Sequence, residues 1–215
     1  MHDQSRRKSH APLWLRSMIL RNLIIALAYV ATGWFGLTFF SAPPGYATTI
    51  FLPAGIAVGA VLFFWFPALP GIFFGSYLLN VLIGYAIFEQ QITAQAIANA
   101  VLIATVSTLQ AAVGGWLFRF KLSFRSVTLI SRHNLLLLSA WAPLICLTSA
   151  TLSVTGLWLL NTVSTAAFLT NWLHWWIGDT FGVLVLLPWM LFFLPADVQI
   201  KKWTEQMLHN NARLH

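Results

Sequence analysis

Six apolar stretches of this chain, Asn22–Phe40, Ile50–Phe66, Ala68–Phe88, Thr93–Phe118, Leu135–Leu160 and Ala166–Phe193, hold between them one charged side chain, Asp179. A bilayer span needs about 20 predominantly apolar residues, with tolerance for tilt. Backbone polar groups in lipid must be satisfied within the segment, so runs of this kind are expected to be helices. The expected fold class is therefore all-α, a polytopic transmembrane bundle of six spanning helices. Composition agrees: the chain is 59% hydrophobic and 8% charged, whereas a soluble domain is about a quarter charged.

The net charge of +7 does not call for a nucleic-acid partner, because of where the charges lie. Arg6, Arg7, Lys8, Arg16 and Arg21 precede the first span, Arg119, Lys121, Arg125 and Arg132 share one loop, and Lys201, Lys202 and Arg213 are in the tail. With the N-terminus inside, all of these fall on the cytoplasmic side, as the positive-inside rule requires. Both termini are then cytoplasmic, and the loop near Gln90 is outside with Glu89 alone. Residues 1–21 read as a basic cytoplasmic segment, 22–194 as the membrane domain, and 195–215 as a short cytoplasmic tail. In that tail Val198, Ile200, Trp203, Met207 and Leu208 suit an amphipathic surface helix. The first span follows a basic start but is long enough to cross and lacks a small-residue cleavage site, so it reads as an uncleaved anchor. Pro43, Pro44 and Gly45 turn the chain after the first span, and Pro67 and Pro70 bracket the turn after the second.

Asp179 is the first place to look for function. A carboxylate at the centre of a membrane helix costs about 2.5 to 3.5 kcal/mol on insertion scales, and such residues face a protein interior or a wet cavity. On a helical wheel Trp172, Trp176, Asp179 and Val183 share one stripe, bordered by Trp175 and Gly182. Indole N–H groups in that position can donate to a carboxylate. The functional reading is a proton- or ligand-responsive switch, and the competing one is a structural carboxylate bonded to a neighbouring helix. Trp172, Trp175 and Trp176 taken alone are better explained as an interfacial aromatic belt than as a ligand cage. His174 lies on the face opposite Asp179 and reads as an interhelical hydrogen bonder.

Partners for Asp179 are sought first at Asn80, Asn99 and Gln110, polar residues of the third and fourth spans. The fourth span aligns Gln95 with Asn99 and Gln110, the third aligns Tyr77, Asn80 and Gly84, and the fifth aligns Thr148, Thr151 and Thr155. Most polar groups at helix contacts act as packing glue, worth roughly 0.6 to 2 kcal/mol each. Gly55 and Gly59, and Gly71 and Gly75, allow close approach, either within the chain or in a homodimer. Pro53 is tolerated in a first turn, whereas Pro188 should kink the inner end of the last span. Cys146 is the lone cysteine and reads as a buried inert thiol. The sequence has no phosphate-binding loop, HExxH, GxSxG or paired intramembrane acids. Catalysis, a metal site and a cofactor are therefore not expected.

The stretches PPGYATTIFLPAGIAVGAVLFFWFPALPGIFFGSYLLN and WWIGDTFGVLVLLP resemble the first type of bacterial membrane-associated sensor domain. The likeness rests on Pro53-Ala54-Gly55-Ile56-Ala57, on Pro70-Gly71 with Gly75 and Asn80, and on Trp175-Trp176-x-Gly178-Asp179 with Gly182 and Pro188. TLQAAVGGWLFRF, from Thr108 to Phe120, is a weaker fourth match. The resemblance covers about Ile24 to Leu194. It departs where Leu52 stands in place of an aromatic before Pro53, and where Leu69 replaces a Trp before Pro70-Gly71.

The resemblance implies an inner-membrane sensory input module for histidine kinases, diguanylate cyclases or cyclic-di-GMP phosphodiesterases, fused or separate, and supplies no stimulus. Relatives usually continue through further membrane helices to an output domain. Here the expectation is a truncated product, a gene fragment or a stand-alone form acting through a partner. The expected mechanism is a stimulus at the Asp179 face that changes the packing of the last span against the third and fourth, relayed through Pro188. The alternative from another class is a six-helix solute-binding transport subunit energised by a partner complex.

The orientation is testable by thiol labelling in a Cys146→Ala background. A cysteine at Gln91 should react with a membrane-impermeant reagent from outside, and one at Ser126 should react only after permeabilisation. The reverse pattern would overturn the topology.

Overall fold

The computed structural model describes residues 13–40, 48–87, 91–121 and 132–193. Within them run six helices: α1 Leu13–Phe40, α2 Leu52–Phe64, α3 Leu69–Ile87, α4 Ala94–Lys121, α5 Arg132–Leu159 and α6 Phe168–Phe193. Short 3₁₀ turns at Phe66–Ala68 and Thr165–Ala167 lead into α3 and α6. The Pro43-Pro44-Gly45 turn, Glu89 and the tail from residue 194 lie outside the described residues. α1 begins at Leu13, so Arg16 and Arg21 belong to its first turns instead of preceding a helix at Asn22.

Five helices are long and apolar enough to cross a membrane, and α2 is not. Its 13 residues span about 20 Å, against a hydrocarbon core of about 30 Å. Pro53 explains the late start. In a helix beginning further back it would lack the N–H needed in the ladder, but in the first turn that donor is not required. Ile50 and Phe51, expected inside the second span, are therefore non-helical.

The helices pack in the order α1, α3, α4, α5, α6, and α2 lies against α1, α4 and α6. Residues Pro53–Gly55 and Ala57–Phe63 of α2 are all buried. α6 lies chiefly along α2 and α5, which corrects the expectation that it packs against the third and fourth spans. Large apolar side chains such as Phe74, Trp116, Leu136 and Phe192 are exposed around the outside, as a lipid-facing surface requires. Polar residues such as Ser76, Asn80, Gln110, Ser149 and Asp179 are inside.

Close helix approach depends on glycine. A Cβ on Gly182 would run into the Phe51 carbonyl oxygen, and one on Gly55 would strike the Gly182 carbonyl and Leu186. Gly71 and Gly75 meet Asn22, Ala26 and Tyr29 of α1 in the same way. Both pairs of small residues are thus used in packing within the chain.

Arg21, Arg119 and Lys121 gather at the end of the bundle that the charge pattern assigns to the cytoplasm. Arg21 lies over the Phe64 ring at 4.7 Å and Lys121 over Trp141 at 5.6 Å. Arg119 donates to the Leu62 carbonyl at 2.9 Å and covers Trp65 at 4.9 Å. Trp65 ends α2 at φ 63 and ψ −162, a region that strains non-glycine residues by about 1 to 3 kcal/mol. The Arg119 contacts hold it there.

Gly182→Val should force α2 and α6 apart and destabilise the protein by roughly 1 to 3 kcal/mol or more. Thermal unfolding in detergent would reveal it as a lowered Tm. An unchanged Tm would mean that the two backbones do not touch in the bilayer.

Candidate functional site

The non-helical stretch Thr48–Phe51 enters the bundle between α1 and α6. Thr49 donates its amide to the Phe40 carbonyl at 3.1 Å, and Phe51 donates to the Gly178 carbonyl at 2.9 Å. Non-helical backbone at membrane depth is tolerated only where protein or a wet cavity surrounds it. Gly178 permits the approach, since a Cβ there would meet the Thr48 carbonyl. Asp179, the next residue, lies eleven positions into α6, about 16 Å from its first turn.

Asp179 is 2% exposed, and among the described residues it is the only acid. Gln110 from α4 and Ser149 from α5 interact with its carboxyl group. The Ser149 hydroxyl nonetheless falls outside strict hydrogen-bond geometry. Gln110 donates as well to the Cys146 sulfur at 3.2 Å. On the α1 and α3 side, Tyr29 is buried with Ser76 and Ser107 as hydrogen-bonding neighbours of its hydroxyl. Asn80 donates to the Ser76 carbonyl at 2.8 Å. These residues form a polar layer across the bundle, to which α1, α3, α4, α5 and α6 all contribute.

A small cavity opens beside this layer. Thr48, Asn80 and Asp179 supply its polar lining and Phe51 and Trp175 its aromatic lining, with Leu37, Ile83 and Ile103 closing the rest. It offers about 20 Å³ to the centre of a water-sized molecule, above the roughly 10 to 15 Å³ one water needs. No Lys, Arg or His lines it.

The expected site residues separate into groups. Asp179, Asn80 and Trp175 come together at the cavity, and Gln110 reaches Asp179 from behind. Asn99 is elsewhere: its Oδ1 accepts from Gln95 at 3.3 Å and from Thr162 at 3.0 Å, in a clamp that also ties Gln95 to the Leu160 carbonyl. Trp172 and Trp176 stack with centroids 6.0 Å apart. Their N–H groups point to α5, Trp172 to Thr151 Oγ1 at 3.1 Å and Trp176 to the Pro143 carbonyl at 2.8 Å. The wall of indoles expected to face the carboxylate thus reduces to Trp175, which is buried. His174 has its Nδ1 2.8 Å from the Thr170 carbonyl of its own helix.

Of the packing residues, Gly178 and Gly182 seat the entering segment and Gly55 seats α2. Pro188 lies within a continuous α6, and Pro70 within the first turn of α3. Sequence reasoning passed over Tyr29, Ser76, Ser107 and Ser149. On α5 it followed the threonines, of which Thr148 and Thr151 are exposed, while Ser149 and Ser153 are buried. The available signal was small-residue periodicity: Cys146, Ser149, Ala150 and Ser153 share one face.

Among the described residues no group of three or more His, Cys, Asp or Glu is placed to hold a metal ion. Trp176→Phe removes one half-buried donor and should cost about 1 kcal/mol, read as a lowered unfolding midpoint. Equal stability would show that the bond to Pro143 contributes nothing.

Comparison with curated proteins and with solved structures gives no match. One family model does match, MASE1, over residues 20–212. It describes membrane-associated sensor domain 1 of histidine kinases and cyclic-di-GMP enzymes. The match takes in α1 from residue 20, all of α2 to α6, the entering segment and Asp179, and so this multi-pass membrane protein belongs to the MASE1 family of sensory input domains.

Proposed function

We propose that this chain is a non-catalytic input module of a bacterial inner membrane, whose stimulus acts at the Asp179 cavity and whose output is a cytoplasmic kinase or cyclic-di-GMP module. The observation that carries the reading is the position of Asp179. A carboxylate 2% exposed at mid-helix, with no basic side chain lining its cavity, is expensive to keep unless it serves a purpose. Structural carboxylates in such places are normally paired.

The path to the output runs through α2. At its upper end Phe51 lines the cavity and bonds to Gly178. At its lower end Leu62 accepts the Arg119 hydrogen bond, and the strained Trp65 begins the turn into α3. An occupant that alters the packing of Thr48–Phe51 therefore acts on a short rigid rod. The glycine contacts at Gly55 and Gly59 against α6 present little side-chain relief to its movement. A signal needs two states that the stimulus favours unequally. The Arg119 contacts are the element whose loss would mark the second state.

The test is Asp179→Asn in a protein carrying the output domain, read as kinase or cyclic-di-GMP activity across growth conditions. The expected result is an output locked at one level, at least fivefold away from one of the wild-type extremes. Normal membrane levels together with an unchanged response range would sink the proposal. Arg119→Ala should shift basal output while leaving the protein in the membrane, and an unaltered basal output would remove α2 from the path.

A further inference from the structure

The hydrogen-bonding character of the cavity indicates what it accepts. Thr48 directs its hydroxyl proton to the Ile50 carbonyl at 3.2 Å, which leaves the oxygen's lone pairs for another partner. Asn80 directs its Nδ2 to Ser76, at 2.8 Å to the carbonyl and 3.5 Å to the hydroxyl oxygen, which leaves Oδ1 as its remaining group. Asp179 in its ionised form is an acceptor only. All three polar lining residues therefore offer oxygen acceptors. At the nearby start of α2, Phe51 donates to Gly178, Ala54 donates to Phe51, and Pro53 has no N–H. Phe51 and Trp175 are its aromatic lining, and aromatic rings attract cations.

We propose that this cavity binds a single small monovalent cation, of the size of ammonium or potassium, between Asp179, Asn80 Oδ1 and Thr48 Oγ1, with Trp175 and Phe51 beside it. One buried carboxylate among neutral oxygens balances one positive charge. Divalent ions prefer more carboxylates or nitrogen and sulfur ligands. The cavity volume of about 20 Å³ restricts the occupant to roughly the size of one water. The inference rests on the reading of Asp179 as the stimulus site and names the chemistry of what arrives there.

The experiment uses the full chain in phosphatidylcholine nanodiscs at fixed pH and ionic strength. N-methylglucamine chloride is replaced stepwise by ammonium, potassium or sodium chloride while Tm is followed. A ligand that binds only the folded state raises Tm with concentration, by about 5 to 11 °C at a hundredfold excess over Kd. The expected result is such a rise for at least one small cation, lost in Asp179→Asn. Asn80→Leu, which removes one oxygen at similar volume, should raise the half-maximal concentration roughly tenfold. It decides the matter if Asp179→Asn does not fold.

No rise beyond that in N-methylglucamine, a rise preserved in Asp179→Asn, or an unchanged midpoint in Asn80→Leu would each overturn the proposal. A Tm that follows pH and ignores the salt would make the proton the occupant and overturn it equally. Binding is read here without any output domain. A chain that binds the cation yet signals normally as Asp179→Asn loses the sensor role and keeps the site. The opposite pair of results removes only the site.

Discussion

The amide of Phe51, donated to the Gly178 carbonyl at 2.9 Å, is the contact on which the rest of this structure depends. In lipid an unsatisfied backbone group costs several kcal/mol, so a stretch such as Thr48–Phe51 persists at depth only if protein meets it there. Gly178 and Gly182 make that possible by bringing α6 backbone within reach. Once the segment is seated, α2 starts low, becomes buried on nearly every face and fills the bundle. The space above its first turn becomes the cavity that holds Asp179.

Packing and chemistry are therefore coupled through the same residues. The glycines that let α2 and α6 touch also carry Asp179 into the bundle instead of toward lipid. Tyr29, Ser107, Gln110 and Ser149 build the polar layer around it from helices that otherwise present aliphatic faces. The layer concentrates polar groups at a depth where each must find a partner. Not all do: the Ser153 hydroxyl lacks one.

The membrane class and five of the six helices were legible in the sequence because hydrophobic length is a local property. Asp179 was legible for the same reason, as the single charge in a long apolar run. The second helix was misjudged in length. Ile50 and Phe51 are as apolar as their successors, so hydropathy does not separate them from the helix that starts with Pro53 in its first turn. Asn99 and Asn80 looked alike on helical wheels, yet one joins the clamp beneath Thr162 and the other the cavity. The indoles of Trp172 and Trp176 shared a stripe with Asp179 but turn to α5. A wheel gives the direction of a Cβ and not the rotamer that follows from a neighbour.

By itself the sequence determined that this chain crosses a membrane as helices, where its basic ends gather, and that one carboxylate must be accommodated near the centre. Each follows from the transfer free energy of residues considered one segment at a time. Tertiary structure alone decided that α2 is buried on nearly every face, that Gly178 and Gly182 face a backbone, and that Asp179 shares its cavity with Asn80 and Trp175. These depend on which helices become neighbours. That choice is made by close packing of small residues, which leaves no distinctive periodicity in a chain apolar almost throughout.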